Sequence, residues 1–235
     1  MALPFVARFT DDMKTALRLR RQRNAPEIAK NLVTLVLLVG VYIAISILVV
    51  PPGEADDFNF ADERGSVTAL SAIFLAVASA YAFICFLVTT EVEKRHRLFW
   101  LMMTCVFGFL ALDELLQFHE RVGSLLEFSD TLKETIEDSS MRNWNDVIVI
   151  LYGVMAIPVA IFFLPSVFRF PRVFELLFVG CCFYVVHTAI DSAVEPRTTF
   201  STIVEESNKL YCSMFLAVAM FVGLLGEIER KAAAR

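Results

Sequence analysis

Residues 98–120 read LFWLMMTCVFGFLALDELLQFHE. The stretch opens as membrane-type apolar sequence and then places Asp113, Glu114, Gln117, His119 and Glu120 within its last eight positions. A helix needs ~20 apolar residues to cross the hydrocarbon of a bilayer, and this stretch has nearly that length. Ionisable groups at membrane depth are costly unless paired, metal-bound or water-lined, so they are functional candidates. At 100° per residue Asp113, Gln117 and Glu120 share one helix face, with Glu114 and Arg121 on its flank. His119 falls well round from that face, and reaches it only if the helix unwinds or bulges.

The surrounding chain repeats the apolar theme. Of 235 residues, 57% are hydrophobic, and the mean hydropathy is +0.63. Segments of alternating polarity are absent, so the spans are expected to be helical, each satisfying its own backbone. The fold expected is all-α: a six-helix transmembrane bundle with an amphipathic connector on its outer face. Spans are placed at 31–50, 67–90, 98–119, 146–166, 174–194 and 206–227. Pro51-Pro52 stops the first; Pro158 is expected to kink the fourth, and Pro165 to help end it. The organisation expected is a basic segment at 1–30, a membrane domain at 31–229 and a tail at 230–235. No cleavable signal pattern stands at the start. Cys85, Cys105, Cys181, Cys182 and Cys212 all lie in apolar runs without zinc-type spacing, which points to packing residues and not to disulfides.

Charge orients the bundle. The N-terminal segment, 91–97, 167–173 and the C-terminus hold fifteen Lys and Arg, against five in 51–66, 120–145 and 195–205. The positive-inside rule then puts both termini in the cytoplasm, as six spans require, in a membrane of the bacterial inner type. Within the basic segment Phe5, Phe9, Met13 and Leu17 recur at helical spacing, as in a helix lying on an anionic membrane face. A basic run beside a first span is a topology signal, so no nucleic-acid partner is expected. Loop 120–145 carries Val122, Leu125, Leu126, Leu132 and Ile136, with Thr131 and Glu134 at capping-box spacing, which suggests an interfacial connector or a lid.

In this topology the polar residues of three spans converge at one level. Asp113 lies ~22 Å and His187 ~20 Å from the inner ends of their outward-running spans at 1.5 Å per residue. The last span runs inward and opens with Glu205, Glu206 and Lys209. The inner halves of the spans carry almost nothing equivalent, so one outer-facing site is expected. His187 and Asp191 sit one turn apart, with Glu195 continuing their stripe at the water interface. Glu114 is expected to pair with Arg121, Glu205 to be solvated, and Lys209 to neutralise carboxylates or bind an anionic headgroup.

Carboxylates with one or two imidazoles suit zinc, iron or manganese; the lack of nearby thiols disfavours a structural zinc site. The expected metal ligands are Asp113, His187, Asp191 and Glu206, with Glu120 as catalytic base and Glu114, His119 and Lys209 as further site residues. That set describes a metal-dependent hydrolase of lipid-like substrates, in contact with membrane lipid. Two alternatives use the same residues: a non-catalytic subunit or assembly factor working with a complex partner or as a homo-oligomer, and an ion- or proton-coupled transporter. In architecture the chain is similar to membrane hydrolases of the alkaline ceramidase type, which also carry His and Asp near one membrane face. It departs from their multi-His pattern, since the sixth span has no His and the second no acid, and no residue roles carry over.

Overall fold

The computed structural model describes residues 2–21, 28–49, 60, 65–90, 93–126, 144–193 and 198–233. Among these the chain is helical throughout, with no strand. The helices are α1 (Ala2–Arg21), α2 (Ala29–Val49), α3 (Ser66–Val88), α4 (Lys94–Leu116), α5 (Phe118–Leu126), α6 (Trp144–Val167), α7 (Val173–Ala193) and α8 (Thr199–Ala233). Six of them, α2 to α4 and α6 to α8, are long and apolar enough to cross a membrane. The protein is a polytopic helical bundle.

The bundle is built around α8, which packs against α3 and α7, while α4 packs on α3. Small side chains let these backbones approach, as membrane helix interfaces require. Ala78 and Ala82 of α3 and Ala219 of α8 are wholly buried. Gly223 of α8 lies directly under the Trp100 ring of α4, and Gly226 lies under Phe170, so a methyl group at either would overlap the aromatic ring. The α2 and α6 helices are more peripheral, with most of their surface facing outward. Exposed Leu37, Leu38 and Leu48 on α2, and Met155, Ile157 and Ile161 on α6, suit a lipid surround.

Helix ends differ from the hydropathy windows in ways that matter. Helix α4 starts at Lys94, four residues before the expected span, and α8 runs from Thr199 to Ala233 instead of 206–227. Helix α6 continues through Pro158 and Pro165 to Val167. Helix α4 stops at Leu116, where Gln117 takes the left-handed conformation (φ 55°, ψ 45°) and its N–H caps the Asp113 carbonyl at 2.7 Å. The chain restarts at once as α5. The connector after α4 is described only over its first part, with Val122 and Leu125 exposed; Thr131, Leu132, Glu134 and Ile136 lie outside the described residues, as do Glu195 and the proline pair at 51–52.

Two further expectations are corrected. In the described part of the apolar stripe of α1, Phe9 and Met13 turn toward the bundle with buried Ala16, and Leu17 is exposed. The end of the bundle that carries α1 and the C-terminus is also far from apolar. Glu227 of α8, wholly buried, accepts hydrogen bonds from His96 Nε2 and from Trp100 Nε1, the latter at 3.1 Å. Arg230 clamps the other oxygen of Glu227 through Nε at 2.9 Å and reaches Glu93 at 2.6 Å, and Arg169 joins Glu93 from beyond α6. Because both helices outrun their hydropathy windows, His96 and Glu227 read as boundary residues in sequence and are interior ones in the fold.

Candidate functional site

Near the opposite end, α3 to α8 surround a cavity of about 240 Å³. Each of these six helices contributes to its polar wall. The α4 helix contributes Asp113 and Glu114, and the break that follows contributes Gln117, His119 and Glu120. From α7 come Tyr184, His187 and Asp191, and from α8 Glu205, Glu206 and Lys209. All eight site residues expected from the sequence therefore line one cavity. Asp113 and His187, on different helices, face the same space.

The turn at Gln117 explains how His119 gets there. A single left-handed residue swings the chain after Leu116 off the α4 axis, so the face assignment for an unbroken helix no longer applies. Asp113 sits 5% exposed at the end of α4 and receives the His119 backbone N–H on Oδ1 at 2.9 Å. Its Oδ2 lies 3.0 Å from His119 Nδ1. A carboxylate in this position takes a proton donor from the first turn of α5, where the helix dipole favours negative charge. It also fixes the imidazole, directing Nε2 away from Asp113 toward Glu120, whose Oε1 is 4.0 Å off. Helix α5 itself is seated by Gly123, which packs so closely on Asn145 of α6 that a side chain there would overlap it.

On the other wall Lys209 is the hub. Its Nζ lies 2.8 Å from Glu206, 3.2 Å from Glu114 and 3.3 Å from the Thr68 hydroxyl, tying α8, α4 and α3 together. An ammonium has three protons, and three oxygen partners surround this one. Glu114 thus meets Lys209, not Arg121 as its spacing suggests. Glu205, expected at a water-screened boundary, is 6% exposed and faces the cavity beside its neighbour; α8 starts seven residues before the expected span, which carries both acids inside. The α6 wall is set by Tyr184, whose hydroxyl donates to the Val149 carbonyl at 2.6 Å and whose ring presses on Gly153.

Sequence reading passed over Thr68 and Ser71 of α3, Tyr152 of α6 and Tyr184 of α7 as lining groups, and it took Cys212 for a packing residue; Cys212 lines the cavity, which corrects the expected lack of a thiol nearby. Uncharged side chains inside apolar spans carry no periodic signal, so only the three-dimensional arrangement finds them. Among the described residues, no group of three or more His, Cys, Asp or Glu side chains is arranged as a metal site. Six carboxylates line the cavity, from Asp113, Glu114, Glu120, Asp191, Glu205 and Glu206, against the one ammonium of Lys209.

Residues 31–224 match a family profile described as a domain of unknown function, DUF8692. The chain belongs to the DUF8692 family. The DUF8692 match begins within α2 and ends within α8, so it takes in the whole cavity wall and leaves α1 and Glu227 outside. No curated protein and no solved structure matches the chain.

Proposed function

We propose that this membrane protein is a hydrolase of amphiphilic, lipid-like substrates, acting in the cavity with a bound divalent cation. The observation that carries the proposal is the gathering of six carboxylates around one lysine in a polar cavity that also holds an imidazole oriented by Asp113. Carboxylates gathered at membrane depth are costly unless paired, metal-bound or water-lined, and a divalent cation would stabilise such a group. Asp113 meets His119, and Glu114 and Glu206 meet Lys209; the protein donors proposed for the ion are His187 and Asp191, one turn apart on α7 and lining the same cavity, with water and substrate completing its coordination. Zinc, iron and manganese all accept that mixture. His119, held by Asp113, is then the general base that takes a proton from the attacking water, with Glu120 alongside. A cation beside that water would lower its pKa. With both termini proposed in the cytoplasm from the basic-residue count, the cavity would open toward the outer leaflet and substrate would enter there.

The test is hydrolysis of a fluorogenic medium-chain fatty-acid ester and an N-acyl amide by purified protein. Turnover should vanish with chelator, return with added metal, and fall at least a hundredfold in His119→Ala, within the usual contribution of a general base. Turnover insensitive to both treatments would refute the reading.

A second reading is favoured by Lys209. Its three partners stand on three helices, which is what a polar group that only fastens a membrane bundle would do. On that reading the chain is a non-catalytic subunit or assembly factor. Transport is supported less, because the buried His96–Glu227 cluster and large aromatic side chains fill the end opposite the cavity.

A further inference from the structure

Helix α1 is fastened across the end of the bundle that carries both termini. Asp12 binds Arg95 at 2.6 Å in the first turn of α4, and Arg20 binds Glu175 in the first turn of α7. Arg95 also covers the Phe9 ring, and Arg20 covers Phe168, just beyond α6. The two anchors are eight residues apart, ~12 Å along the helix, and they hold the starts of two different spans. The residues turned inward include Phe9, Asp12, Met13, Ala16 and Arg20, so the middle of the apolar stripe and one acid are used on the protein itself.

What remains outward is a second, different face. Lys14, Arg18 and Arg21 are exposed and follow one another at i, i+4 and i+7, forming a basic ladder. On the neighbouring stripe, three turns apart, stand Val6 at 56% and Leu17 at 42% exposure. Asp11, which reaches Lys14 at 4.0 Å, is the acid on this face.

We propose that this outward face of α1 docks on anionic phospholipid headgroups, with Lys14, Arg18 and Arg21 meeting phosphates and Val6 and Leu17 entering the acyl boundary. Three features point to a bilayer as the occupant. An apolar edge beside basic side chains is the arrangement of an interfacial helix. The helix is pinned to the rim of a membrane bundle and is only 10–12 Å across, so its basic tips stay within about a Debye length, ~8–10 Å, of the headgroup layer. Lysine and arginine stems can also lie along the apolar edge while their charges reach the phosphates. Docking here would load the first turns of α4 and α7 directly, because Asp12 and Arg20 share the helix with the ladder.

The experiment follows thermal unfolding of the full chain in neutral detergent as phosphatidylglycerol, phosphatidylcholine or inorganic phosphate is added. Phosphatidylglycerol should raise Tm saturably, since a ligand of the folded form stabilises it by mass action, and the other two should not. In Lys14→Gln/Arg18→Gln/Arg21→Gln the half-saturating lipid concentration should rise roughly a hundredfold, from the usual contribution of each basic residue at an anionic surface. Asp11→Asn should lower it several-fold, and this variant decides the matter alone if the triple variant fails to reach the wild-type Tm in phosphatidylcholine. An equal response to phosphatidylcholine would overturn the proposal, as would a matching response to phosphate or unchanged lipid dependence in the variants. Retention of a soluble acidic protein by the ladder in place of lipid would overturn it too.

Discussion

Gln117 carries more of the site than any charged residue, because its left-handed backbone is what brings His119 to Asp113. Glycine adopts that conformation without strain, whereas a β-branched residue loses ~1–2 kcal/mol there. Gln117→Gly should therefore keep wild-type Tm or raise it slightly, and Gln117→Val should lower stability by about that amount and disturb the His119 environment. Chemical shifts of the His119 ring, followed in both variants, check the second half of that expectation. The Lys209 hub makes a sharper prediction at the same scale. Lys209→Met leaves Glu114 and Glu206 facing each other without a cation, a loss of ~3–5 kcal/mol for a broken buried pair. Replacing all three, as Glu114→Gln/Glu206→Gln/Lys209→Met, should recover most of it. A triple variant no more stable than Lys209→Met would mean that the ion pair itself is not what Lys209 provides.

Among the elements, α8 is the centre of the bundle, packed on α3 and α7, and at one point it also meets the Trp100 ring of α4. Gly223 touches the Trp100 ring so closely that alanine needs the helices to part, and overpacking of this kind costs ~1–3 kcal/mol. Gly223→Ala should lower Tm accordingly while leaving cavity chemistry intact, and thermal unfolding with the ester assay separates the two effects. The six spans were legible in the sequence because a membrane helix announces itself by length and apolar composition alone. The depth of Asp113, His187 and Glu206 was legible for the same reason, since rise per residue fixes position along a helix. The rotation of His119 was not, because one residue in a left-handed conformation redirects everything after it and Gln is not a usual signal for that. The His96–Glu227 pair was missed for another reason: hydropathy marks the apolar window, and α4 and α8 extend beyond theirs. Glu227→Ala, which removes the shared partner of His96, Trp100 and Arg230, should cost ~3–5 kcal/mol, far more than a surface acid would.

On the scale of the whole molecule, two polar centres occupy opposite ends of one apolar bundle. One is saturated by His96, Arg230 and Trp100 around Glu227; the other lines a cavity with six carboxylates and one lysine. That contrast supports treating the first as structural and the second as a site. The proposed orientation follows from the fifteen basic residues at the α1 end against five in the opposite loops. In a chain whose native cysteines are replaced, Asp57→Cys should react with an impermeant thiol reagent in intact cells, and Arg235→Cys should react only after lysis. The central claim is that the acidic cavity holds a cation. Elemental analysis of the purified wild type and of His187→Ala/Asp191→Asn addresses it most directly. The account predicts a divalent metal near one equivalent per chain in the wild type and its loss from a folded variant. Only trace metal in both proteins, after purification without chelator and reconstitution with zinc, iron and manganese, would contradict it and leave the cavity as helix-fastening scaffold.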